Sequence, residues 1–93
     1  MPEIEWKVIA QEDLANLINY IVEHNVDAAQ KLKDEIQTKV ANLANNPKLY
    51  QKGRVENTRE MVIRSNYIVV YSEESDKILI QRVLHAAQQW PID

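Results

Sequence analysis

The spacing of apolar residues changes period along this chain, and that change limits the fold more than any single residue does. Residues 3–8 alternate, with Ile4, Trp6 and Val8 on one side and Glu3, Glu5 and Lys7 on the other. A period of two with one apolar face describes a half-buried strand, and Pro2 sits just ahead of it, where no ladder N–H is needed. From residue 11 to 24 the spacing becomes helical: Leu14, Leu17, Ile18, Ile21 and Val22 form one stripe. Glu12 and Asp13 are then expected in the first turn, where the helix dipole favours negative charge. His24-Asn25-Val26 interrupts the stripe. A second helix is expected from an N-cap at Asp27, with Gln30 as its capping-box partner. Its buried stripe is Ala29, Leu32, Ile36, Val40 and Leu43, and Asn45-Asn46-Pro47 ends it.

Two amphipathic helices joined by a few residues make an antiparallel hairpin. Residues 48–57 are polar, contain the only glycine, Gly53, and read as a loop. Three strands are expected after it, at 59–64, 67–72 and 77–85, with turns at Ser65-Asn66 and Glu73–Asp76. The middle one, Tyr67-Ile68-Val69-Val70-Tyr71-Ser72, is nearly all apolar, as a central strand covered on both faces should be. The tail from Ala86 to Asp93 is expected to form a short helical turn stopped by Pro91. The order β-α-α-β-β-β predicts an α+β domain, its helical hairpin packed on one face of a mainly antiparallel four-stranded sheet.

A chain of 93 residues is one domain, spanning residues 1–93. With no cysteine, neither a disulfide nor a thiolate metal site is available. The two histidines, His24 and His85, lie in different elements, so no metal site is expected. There is no glycine-rich phosphate loop and no nucleophile elbow, and no cofactor is expected. No apolar run approaches the ~20 residues of a membrane helix. The acidic, alternating N-terminus does not resemble a secretory signal, so the expected location is the cytoplasm.

The net charge is −3. Residues 1–45 carry eight acids and four bases (−4), and residues 46–93 carry six acids and seven bases (+1). A protein that grips nucleic acid by its phosphates usually has a basic excess. This chain does not, and the bases that could matter are local: Lys48, Lys52, Arg54, Arg59, Arg64 and Arg82.

Five residues could carry chemistry or recognition. Arg59 and Glu60 open a strand, either as a solvated pair of little energetic weight or as an anchor for a polar network or a partner's carboxylate. Arg82 is placed between Ile80 and Leu84 on one strand face. An arginine among apolar neighbours is rarely buried unpaired, which leaves a structural ion pair or a partner contact. His85 ends the last strand, and its side chain could serve as an acid or base or simply bond a backbone group. Trp90 lies beyond the last strand and either folds back to cover the sheet edge or offers a contact to another protein.

Three segments in order resemble the C-terminal half of ParE-type toxins of the RelE/ParE superfamily: Arg59-Glu60-Met61-Val62, Asn66-Tyr67-Ile68-Val69-Val70-Tyr71, and Ile80-Gln81-Arg82-Val83-Leu84-His85-Ala86-Ala87-Gln88-Gln89-Trp90-Pro91. Asp13-Leu14, Ile18-Tyr20-Ile21 and Asn46-Pro47 with Leu49-Tyr50 agree more loosely, so the resemblance covers roughly residues 4–91. It implies the fold already read from the periodicities. It also implies a toxin of a type II toxin–antitoxin, or plasmid-stabilisation, module, neutralised by a ParD-like antitoxin whose extended helical segment wraps it. ParE-like members of the superfamily are thought to poison DNA gyrase, whereas RelE-like members cut messenger RNA on the ribosome. Where RelE-like relatives place a middle-strand arginine this chain has Ile68, and where a catalytic tyrosine can follow the last strand it has Ala86. A nuclease would retain only Arg59, Arg82 and His85 as catalytic candidates and would lack a phosphate clamp, the kind of electrostatic group whose loss typically costs ~10²–10³ in rate. The gyrase-inhibiting reading is therefore preferred, with no catalytic residue, no direct nucleic-acid contact, and Arg59, Arg82, Gln88, Gln89 and Trp90 as the target-binding surface. The alternatives are a ribosome-dependent mRNA endonuclease and an inactive member that binds only its antitoxin.

Overall fold

A computed structural model describes residues 2–91 of the chain. The elements are β1 (Glu3–Trp6), α1 (Val8–Val22), α2 (Val26–Asn42), β2 (Gln51–Lys52), β3 (Arg59–Ile63), β4 (Tyr67–Glu74) and β5 (Lys77–His85). The sheet has five strands in the order β1-β5-β4-β3-β2. Its β2–β3, β3–β4 and β4–β5 pairs are antiparallel, and β1 joins β5 in parallel after the helical crossover.

The architecture is α+β, with one strand more than the four expected. The addition is β2, two exposed residues paired with Glu60 and Arg59. Gln51-Lys52 carries no apolar alternation to announce a strand. Backbone pairing alone makes it one, and the Gly53 N–H donates to Thr58 O at 2.8 Å to close the connection.

The helices start earlier than expected. Val8 is 70% exposed and opens α1 instead of closing β1, with Lys7 in extended conformation as the N-cap. No acid falls in the first turn, which moves Asp13 into the body of the helix. For α2 the N-cap is Asn25, not Asp27. Its Oδ1 accepts from the Ala28 N–H at 3.0 Å, and Asp27 becomes the first-turn acid. Asparagine caps as well as aspartate, and Asn25 also closes the end of α1, which stops at Val22, its N–H donating to Ile21 O. Gln30, freed from capping, bonds Asp34 one turn on.

The main core lies between the hairpin and one sheet face. Leu14 from α1 and Leu32, Ile36 and Val40 from α2 meet Met61, Ile63, Val69, Tyr71, Ile78 and Ile80. Removing each such side chain from water contributes about 1.5–3 kcal/mol. A second cluster, Ile68, Val70 and Leu84, lies on the other face, where the indole of Trp90 packs on it. β4 thus feeds alternate residues to two apolar clusters, as its uninterrupted apolar run predicts.

One irregularity governs the candidate site. Tyr71 pairs with Ile80 but Val70 pairs with Arg82, so Gln81 is an extra residue on β5. A bulge of this kind inverts the alternation beyond it. Ile80 therefore belongs to the helix-side core and Leu84 to the outer cluster, and the expectation that they flank Arg82 on one face is corrected. The β3–β4 turn is also shifted by one residue. Its central residues are Arg64 and Ser65, at φ 55° and 64°, closed by the Asn66 N–H on Ile63 O.

Candidate functional site

The site forms where β1 stops short. β1 covers β5 only from Lys77 to Ile80, and past that point the open edge of β5 faces α1. The Lys7 N–H closes on Ile80 O at 3.0 Å. Asp13 takes over from there: its Oδ2 accepts from the Val83 N–H at 3.0 Å and from Arg82 Nε at 2.7 Å, and its Oδ1 accepts from Arg82 Nη2 at 3.0 Å. A carboxylate one helix turn from Leu17 thus satisfies a bare strand edge and an arginine fork together. Both side chains are only about 15% exposed. The bonds from Asp13 raise the Arg82 guanidinium further above its ordinary range against the opposing effect of burial, so it stays charged at every working pH. The guanidinium carbon also lies 5.4 Å from the Trp90 ring centre, a cation–π distance.

His85 and Gln88 close the strand end. His85 Nδ1 accepts from the Ala87 N–H at 3.1 Å, and the Gln88 N–H donates to His85 O at 2.9 Å. The imidazole stands edge-on to Tyr67, ring centres 5.8 Å apart. This is one hydrogen-bonded turn, less than the helical turn expected for the tail, whose last two residues, Ile92 and Asp93, lie outside the described ones. Gln89 is exposed. A cleft lined by Asp13, Asn16, Tyr20, His85 and Gln88 runs between α1 and this strand end.

Trp90 therefore joins Arg82 on the outer face, while Gln88 joins His85 at the strand end, and the exposed Gln89 links the two in the chain. Arg59 joins neither. It pairs with Tyr71, a helix-side residue, whereas Arg82 pairs with Val70 of the outer cluster. The two arginines leave opposite faces of the sheet from strands two apart, about 10 Å. Arg59 is held by Tyr50 O at 2.7 Å. The expectation of one surface containing both arginines is corrected, and Arg59, Arg82 and His85 do not converge on one substrate position.

Glu60, next to Arg59, is nearly buried on the outer face. Burial pushes its carboxyl up, but the Arg54 side chain and the Arg54 N–H bond it closely enough to leave it below the ordinary carboxylate range. Gly53 is required beside it, since a Cβ there would collide with the Thr58 hydroxyl and sit 3.2 Å from Glu60.

A second feature had no sequence signal of its own. A groove of about 680 Å³ opens between α1, α2 and β1, lined chiefly by Ile4, Trp6, Leu14, Ile18 and Val40, with Lys33 at its rim. Each of these residues was legible as part of an apolar stripe. That the stripes leave a gap depends on how the helices sit on β1, which is a tertiary property.

The model of the family described as "ParE toxin of type II toxin-antitoxin system, parDE" matches residues 4–90. A protein of Sinorhizobium fredii (strain NBRC 101917 / NGR234) named "Putative toxin Y4kP" is 37% identical over 89 residues, 95% of this chain and 92% of that one. Two solved structures share the fold at 19% identity. One, a chromosomal ParDE toxin–antitoxin system from P. aeruginosa, has a TM-score of 0.81 and covers 91% of this chain and 96% of that one. The other, the conserved hypothetical protein HP0894 from Helicobacter pylori, has a TM-score of 0.58 and covers 95% and 98%. Matched from β1 through the tryptophan of its tail, the chain belongs to the ParE toxin family of type II toxin–antitoxin systems.

Proposed function

We propose that this toxin acts by binding DNA gyrase, that a ParD-like antitoxin neutralises it, and that the pair works in the cytoplasm as a plasmid-stabilisation module. The observation that carries the choice of a binding inhibitor over a nuclease is the commitment of Arg82. One edge of its guanidinium, Nε and Nη2, is taken by the Asp13 carboxylate, which also balances its charge, and Arg59 is tied to a backbone carbonyl on the opposite face. A group that stabilises phosphoryl charge must point at the position where that charge develops. What remains at the strand end is a surface of amides and aromatics (Gln88, Gln89, Trp90 and the exposed Tyr20), the composition of a protein-contacting patch. The groove bearing Trp6, Leu14 and Ile18 is the natural seat for an amphipathic antitoxin helix.

The direct test is a supercoiling assay with purified gyrase. The toxin should inhibit it, and the isolated antitoxin should relieve the inhibition. Messenger RNA should stay intact in a parallel reaction with translating ribosomes. Trp90→Ala should keep the helical circular-dichroism signal and weaken inhibition, whereas undiminished inhibition would take the tail out of the target surface. Ribosome-dependent cleavage of messenger RNA with gyrase unaffected would replace this proposal with the endonuclease reading.

A further inference from the structure

Trp90 occupies an unusual seat. Its indole packs on Ile68, Val70 and Leu84, which are at most 7% exposed on a sheet face that no helix covers. Yet the seat is imperfect: Trp90 Nε1 is shielded from water and has no hydrogen-bond partner among the described residues. Burying a donor without an acceptor is destabilising, so undocking the ring returns a hydrogen bond to that N–H while exposing the apolar patch beneath.

The way the tail is fastened matches this balance. The Ala86 N–H donates to Asn66 O at 2.6 Å, and Ala87 and Gln88 are tied to His85. Beyond Gln88 no hydrogen bond secures residues 89–91 among the described residues. Their hold on the domain is the ring itself, through apolar contact and the Arg82 guanidinium. Arg82 does not depend on the ring, because Asp13 holds it. The segment can therefore leave without breaking a backbone bond, with Gln88 as its hinge. Segments with few buried contacts and few backbone bonds open far below the free energy of global unfolding.

We infer that residues 89–91 form a latch: Trp90 is stowed on the outer sheet face in the free toxin and swings out about Gln88 to meet the target. The second half of this rests on the tail-to-target reading above, and the first half does not. Stowing keeps a large aromatic from offering a sticky surface before the target is met, and release supplies the anchor that a protein interface of this kind uses.

The absence of cysteine allows a single-site reporter. Val62 is 45% exposed on the face that carries Ile68, its pairing partner. A bimane fluorophore on the Val62→Cys variant would be quenched by a tryptophan in contact with it, and Trp6, on the helix side of the sheet, cannot reach it. In the free toxin the label should be several-fold dimmer than in the same protein carrying Trp90→Phe, which still fills the seat but does not quench. In rising urea it should brighten before the circular dichroism at 222 nm falls. Equal brightness in the two proteins, or brightening that coincides with unfolding, overturns the latch. On adding gyrase A subunit, the anisotropy of the label reports binding and its brightness reports the latch. Binding with brightening supports release onto the target, and binding without brightening overturns it. If the anisotropy does not change, the gyrase proposal fails, and the urea measurement alone decides whether the latch exists.

Discussion

The Asp13→Asn substitution separates structure from recognition at Arg82. The change is isosteric, so no cavity forms, and only charge and acceptor capacity are altered. Asp13 accepts three hydrogen bonds, two from Arg82 and one from the Val83 N–H. An asparagine keeps one acceptor oxygen and turns a donor toward groups that are themselves donors. At least one of the guanidinium N–H groups or the Val83 N–H is left facing an NH₂, and the guanidinium loses its counter-charge in a site only about 15% exposed. A hydrogen bond to a charged group contributes about 1.5–3 kcal/mol, and breaking a buried pair by removing one partner costs about 3–5 kcal/mol. The residual exposure here puts the cost near the lower figures, at about 2–4 kcal/mol. A domain of this length has about 5–14 kcal/mol in all, and at about 4–8 °C per kcal/mol the melting temperature should fall by roughly 8–32 °C. Urea titrations of Asp13→Asn, Arg82→Gln and the double variant, followed at 222 nm, form a cycle whose coupling energy should be about 1–3 kcal/mol. A cost for Asp13→Asn below about 0.5 kcal/mol, within the range of an ordinary surface change, or a coupling near zero, would refute the pair's structural role. Replacing both partners with apolar residues, Asp13→Leu with Arg82→Met, should restore the part of the stability lost with the ion pair but not the about 1–3 kcal/mol of the Val83 N–H left without its acceptor. If that protein folds but no longer inhibits its target, Arg82 contributes to recognition as well.

Three further outcomes follow from the fold. Gly53→Ala should destabilise by about 1–3 kcal/mol, as expected when a methyl is forced into a filled space, because its Cβ meets Thr58 and Glu60; thermal melts check it. Ser65→Gly should stabilise by about 0.4–1 kcal/mol, because Ser65 holds φ at 64° in the three-residue connection between Ile63 and Tyr67, where glycine bears no such penalty; an unchanged or lower midpoint in urea would refute this. Tyr71 is fully buried, donates to Pro47 O at 2.6 Å, and burial pushes its phenol up to about 12. Its folded value is raised above the unfolded one, so this contribution to stability is complete below about pH 10 and is lost as pH rises towards 12. Tyr71→Phe should flatten that alkaline decline, which ultraviolet titration of the phenolate and pH-dependent melts would follow.

The parts of this fold that were legible in the sequence are those set by local period. Leu32, Ile36 and Val40 specify α2 because helical spacing aligns them whatever they pack on, and Tyr67 to Tyr71 reads as a central strand because no one-sided strand tolerates five apolar residues in a row. The parts that were not legible depend on distant residues. β2 has two residues and no pattern, and forms only because β3 offers it an edge. The bulge at Gln81 is a matter of register between β4 and β5, and no feature of Gln81 itself announces it, yet it decides which face receives Leu84. Arg82 stood out as an arginine among apolar neighbours, but its partner Asp13 is 69 residues away and looked like a first-turn acid. The same bulge and pairing put Arg59 and Arg82 on opposite faces, so a site assembled from conspicuous arginines could not have been correct as a single surface. Of the tail residues, Trp90 lies against Arg82 and Gln88 against His85, because both follow β5 directly and chain connectivity leaves them little choice.

The proposed mode of action, stopping DNA metabolism by binding a protein and not by cutting RNA, is tested by inducing the chain alone in a bacterium and pulse-labelling DNA and protein synthesis separately. DNA synthesis should stop first, with DNA-damage signalling and intact messenger RNA. If protein synthesis stops first and messenger RNA is cut, the claim is wrong, and His85 and the arginines must be re-examined as catalytic groups.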